Sequence, residues 1–197
     1  MTLIKTLAVT ACLASFATAA YAQRIKVTEG DLSALKGEKS ISIVFTYDNM
    51  RVGKFKTEAE YISKKSEEYD KKEAGRGARW AKDWVDDRKD KYEPKFIELF
   101  EKASDMVVKK DAKYTMVYNT NYTEPGFNVA VMRHNAETNA DVTIMETATK
   151  KVVAKLTVEK ALGRTFWGAD YETGGRIAEC YADAGKALGV YIRKSID

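Results

Sequence analysis

The residues best suited to binding chemistry fall in two places. Trp80 and Trp84 stand one helical turn apart, with Val85 beside them. Two indoles at that spacing expose a large apolar area unless they dock, and aromatics of this kind are enriched where proteins meet partners. Arg88 is placed to stack on Trp84. The second place is the run from Gly163 to Gly175, which gathers four glycines, the aromatics Phe166, Trp167 and Tyr171, and Arg164 just ahead of a helix. The first N–H groups of that helix, with Arg164 and Arg176, are suited to holding an anion. No P-loop lysine or dinucleotide fingerprint accompanies the run. Each feature has a structural alternative: the indoles dock on a sheet or neighbouring helix, and the loop packs its own aromatics over a sheet edge.

Catalytic and metal chemistry find less support. His134 is the only histidine, among polar residues, with no nucleophile motif beside it. Zinc ligands at set spacings are missing from the sequence. Asp83, Asp86, Asp87 and Asp90 crowd one helix, and carboxylates four apart share a face that suits a hard cation. Lys82, Arg88, Lys89 and Lys91 are interleaved with them, so a solvated, charge-balanced face is the expectation. Cys180 borders the apolar stripe of the last helix and is expected to be a small buried hydrophobe. No enzyme, cofactor or metal site is expected. A hydrolase of unfamiliar type ranks last among the readings, because acid, base and nucleophile do not assemble from motifs.

These residues need a frame. Val142 to Thr147 and Val152 to Glu159 alternate apolar and polar with period two around the short gap Ala148-Thr149-Lys150, which predicts a hairpin. From Arg176 the period becomes helical, and Ile177, Tyr181, Ala184, Leu188 and Ile192 form one stripe. Gly185 and Gly189 predict a close backbone approach, most simply to the hairpin. Upstream, Arg24–Thr28 and Ile41–Tyr47 read as strands, with Val44 suggesting partial cover on the second strand's other face. Thr57 and Glu60 form a capping-box pair. A charged helical insertion spans about 57–92, where Gly75-Arg76-Gly77 divides two helices. Glu93-Pro94 restarts the chain into a third helix carrying Phe96, Ile97, Leu99, Phe100 and Ala103. Tyr114–Thr120 and Phe127–Met132 read as strands flanking the turn Glu124-Pro125-Gly126, and 133–140 as a polar loop. The fold class is α+β: a mixed, mainly antiparallel sheet packed by helices, in one domain over 23–197.

The first 22 residues read as a secretory leader, with Lys5, the apolar run Leu7–Phe16 and cleavage after Ala22. Lipid attachment at Cys12 is the minor alternative. The apolar run is too short to span a membrane, and a periplasmic or secreted location follows. With 33 basic and 29 acidic residues and a net charge of +4, the chain lacks the clustered excess of a nucleic-acid binder.

The strand Ile41–Tyr47, the turn Glu124-Pro125-Gly126 and the block Asp141–Arg193 resemble the small secreted α/β domains of bacterial envelope proteins. The curli-secretion lipoprotein and the N-terminal domain of TolB are of that type, as are secreted proteins of Bacteroidetes-type bacteria. The charged helices 57–92 and the weak lipobox depart from it. The first reading is a non-enzymatic envelope domain that binds a protein or envelope component; the exposed aromatics Trp80, Trp84, Phe166, Trp167 and Tyr171 are its expected contacts, with Arg164 orienting the partner. A small-molecule or glycan binder using 163–175 is the alternative.

Overall fold

The computed structural model describes residues 24–129, 132–164 and 172–197. The leader, Cys12, Phe166, Trp167 and Tyr171 lie outside the described residues.

The hairpin and the last helix form as their periods require. β8 (Ala136–Glu146) and β9 (Val152–Gly163) pair antiparallel. Their inward residues Val142, Ile144, Ala154, Leu156 and Val158 are all buried. α4 (Thr173–Ile196) lies over them with Ile177, Tyr181, Ala184, Leu188 and Ile192 each at most 1% exposed. β1 (Arg24–Gly30) pairs with β9, and β5 (Tyr114–Glu124) with β8, both antiparallel. β2 (Ser40–Thr46) then joins β5 in parallel, with β4 (Val107–Val108) on its far side. With β3 (Arg51–Val52) on β5, these make a mixed seven-stranded sheet whose longest ladders are antiparallel. The fold is α+β.

A parallel pair needs a crossover connection. The charged stretch supplies it as α1 (Glu58–Asp70), α2 (Arg76–Asp87) and α3 (Glu93–Ser104). The Thr57 hydroxyl accepts the Glu60 N–H at 3.2 Å, and the Glu60 carboxylate accepts the Lys56 N–H at 3.1 Å. In α1 the buried anchor is Tyr61, while Ala59 is exposed. The chain does not restart at Glu93-Pro94: a π turn over Arg88–Tyr92 carries α2 into α3 without a break.

The close partner of the α4 glycines is α3, not the hairpin. A Cβ at Gly185 would lie 2.3 Å from the Phe96 carbonyl oxygen, and one at Gly189 2.8 Å from that of Phe100. Small residues on one stripe let the two helix backbones meet while the neighbouring stripe covers the sheet. Three other expectations change. Phe127–Met132 is not one strand: β6 (Phe127–Val129) and β7 (Met132–His134) pair as a separate two-stranded ribbon. The polar loop 133–140 is instead the rest of β7 and the start of β8, where Ala136, Thr138 and Ala140 point inward. Val44 is 45% exposed, so the second face of β2 is open.

Candidate functional site

Three segments converge beside α2. β3 and its following turn bring Lys54 and Phe55, α1 and α2 bring Tyr61, Tyr69 and Trp80, and the turn after β5 brings Glu124 and Phe127. Between them lies a cleft of about 460 Å³, lined also by Thr173 and Arg176 of α4. That volume falls in the range of small-ligand sites.

The turns are fixed by local chemistry. Gly53 has φ +52° and donates its N–H to the Thr123 carbonyl at 2.8 Å. Gly126 has φ +64° and donates to Glu124 Oε1 at 3.0 Å, and a Cβ there would meet the His134 carbonyl at 2.5 Å. Arg176, 3% exposed, donates Nε to the Pro125 carbonyl at 3.3 Å and Nη2 to Thr173 Oγ1 at 3.0 Å. It therefore pins the first turn of α4 to the 124–126 turn.

The aromatic wall is a stack. Trp84 and Trp80 lie 5.7 Å apart at 31°, Trp80 and Tyr69 lie 5.6 Å apart at 29°, and the Arg76 guanidinium sits 5.1 Å over Tyr69. Trp84 is 6% exposed, and its Nε1–H reaches Glu58 Oε1 at 2.5 Å. Trp80 thus lies between Trp84 and Tyr69 and lines the cleft. Tyr61 meets Trp80 and Phe55 edge-to-face at 5.7 and 5.6 Å. Burial pushes the Tyr61 phenol up, Tyr69 and Glu124 add to the effect, and Arg176 opposes it. The hydroxyl stays protonated across the neutral range.

The structure brings Trp80 and Arg176 into one site. Trp84 stands behind it as support. Arg88 does not stack on Trp84: it ion-pairs with Glu58 and lies 3.9 Å over the Tyr47 ring. Arg164 is apart from Arg176, beside a separate hollow between α3 and α4 with Lys95, Asp183 and Lys186; its carbonyl accepts Arg133 Nη2 at 3.0 Å. His134 is exposed on β7 rather than on a loop, its ring stacked on Phe127 at 5.8 Å. Cys180 is fully buried and its thiol is pushed up by burial. Asp87 pairs with Lys91 at 2.7 Å, and Asp86 with Lys82. Among the described residues no group of three or more His, Cys, Asp or Glu gathers as a metal site, and no helix is long and apolar enough to cross a membrane.

Phe55, Tyr61, Glu124 and Lys54 were not expected in the site. The available signal was the pair of glycine turns at 53 and 126, each placed next to an aromatic and a charge.

No family model and no curated protein matches this chain. Among solved structures it is similar to a PelC dodecamer from Paraburkholderia phytofirmans, at 10% identity over 83% of this chain and 99% of that one, with a TM-score of 0.38. A dodecamer of a point variant of the same protein matches at the same identity and score, with 98% of its chain covered.

Proposed function

We propose that the chain is a non-enzymatic, secreted envelope domain that binds a protein or envelope component, and that the cleft beside Trp80 is where the partner seats. One observation supports this most: aromatic side chains from three separate segments converge on a cleft that also holds Lys54, Lys65 and Glu124. Few apolar walls with a small number of placed polar groups are what a recognition site requires. Phe127, 41% exposed, gives the mouth a contact surface.

The test is co-sedimentation of the purified chain with the envelope fraction of its host. Lys54→Glu combined with Phe127→Ser changes surface positions only and should leave the melting temperature nearly unchanged. Binding should fall about tenfold or more. Undiminished binding by that variant rejects the cleft as the contact. Export is checked separately: the secreted chain should begin at Gln23 by mass spectrometry, and a retained leader rejects the cleavage site.

A further inference from the structure

The polar groups of the cleft define what kind of ligand would complete it. Lys54, Lys65 and Arg176 face it against one carboxylate, Glu124. Lys54 makes no ion pair among the described residues; its nitrogen lies 5.7 Å over the Phe55 ring. Lys65 pairs with Glu68 at 3.2 Å on the surface, an interaction weak enough to be exchanged.

Two polar side chains stand ready in the cleft. Tyr61 lines it with its ring mostly buried. Glu124 uses Oε1 for the Gly126 N–H, and Oε2 makes no hydrogen bond among the described residues. On the far side of Trp80 the charge reverses: Asp83, Asp86, Asp87, Asp90 and Glu172 line a second hollow with Lys91. A negative ligand is therefore confined to the Tyr61 side.

Building on the binding role proposed above, we infer that the cleft takes a hydroxylated carboxylic acid, an acidic sugar, with its carboxylate toward Lys54 and Lys65 and a ring hydroxyl toward Glu124. Each part of the ligand answers one group. A neutral sugar leaves the lysines without a counter-charge. A bare oxyanion brings its charge against Glu124 without a hydroxyl to donate. An amino sugar is repelled by the lysines and drawn to the acidic hollow. Tyr61 donates to the ligand, and a site built to make hydrogen bonds discriminates against ligands that leave them unmade.

The experiment is calorimetric titration of the mature chain with a galacturonate trimer, maltotriose, a glucosamine trimer and inorganic sulfate. The uronate trimer should bind about tenfold or more tighter than the other three, and more weakly as salt rises. Lys54→Met and Glu124→Gln should each weaken it severalfold; glutamine keeps an acceptor for the Gly126 N–H, so the turn survives. Equal binding of maltotriose or of the glucosamine trimer overturns the charge assignment. Sulfate matching the uronate, or Glu124→Gln without effect, overturns the hydroxyl assignment. If none of the four binds while Lys54→Glu with Phe127→Ser still loses the envelope, the cleft stands as a contact and the acidic-sugar inference falls. If that variant keeps the envelope, the binding reading fails on its own, whatever the sugars do.

Discussion

Glu58 joins more of the molecule than its position at the start of α1 suggests. Its carboxylate accepts the Trp84 indole N–H and the Arg88 guanidinium together, and Arg88 in turn covers Tyr47 at the end of β2. Glu58→Ala would leave a largely buried guanidinium and an indole donor unpaired, which costs about 3 kcal/mol. Urea titration should show that loss, and Glu58→Gln should recover part of it. Asp183 makes the opposite case. Burial raises its carboxyl above the ordinary 3.8, with the Leu162 N–H, Arg164 and Lys186 only partly opposing. A carboxyl raised in the folded chain holds its proton to higher pH than in the unfolded chain. Its favourable contribution is complete below the unfolded value and is lost as pH rises through the folded one. Asp183→Asn keeps an acceptor for Leu162 and should flatten the fall in melting temperature with rising pH above about 4; an unchanged pH slope would show that Asp183 carries no such linkage. At this scale the sequence singled out Trp80 and Arg176 but did not show that they line one cleft. Tyr61 and Glu124 read as an ordinary helix aromatic and a turn residue, because the cleft they share joins positions more than sixty residues apart.

Elements were legible where one period ran undisturbed. The hairpin and α4 carry period-two and helical stripes with large apolar residues, so both could be placed directly. β8 begins earlier than its apolar residues announce, because Ala136, Thr138 and Ala140 are inward but small. Packing partners were less legible: the α4 glycines implied a close approach, which the sequence assigned to the hairpin and the structure gives to α3. Gly185→Ala sets a methyl 2.3 Å from the Phe96 carbonyl on the neighbouring helix. Since α3 and α4 together cover the sheet, the expected loss is global, about 1–3 kcal/mol or more. Gly77→Ala is as tight, 2.4 Å from the Ser66 carbonyl, but strains only the approach of α2 to α1. Hydrogen exchange should separate them, with Gly185→Ala raising exchange in the sheet and Gly77→Ala raising it first in 58–87. Equal patterns from both would mean that the α1–α2 pair has no local stability of its own.

For the whole molecule the question is whether the charged helices are an appendage. Their composition, 18 basic and 15 acidic residues between Arg51 and Lys113, reads as a solvated insertion. The parallel pairing of β2 with β5 makes the same stretch the crossover that the sheet requires, a topology that composition does not disclose. Tyr61 and Trp84 belong to one buried cluster that runs through Phe96 and Tyr118 to Ile192. A shared core predicts one cooperative transition. In a Trp167→Phe background, the remaining tryptophans Trp80 and Trp84 report only on α2, while far-UV circular dichroism reports on the whole chain. Their urea midpoints should coincide. A fluorescence transition at lower urea would mean that α1 and α2 unfold first, and the cleft they wall would then be lost before the sheet beneath it.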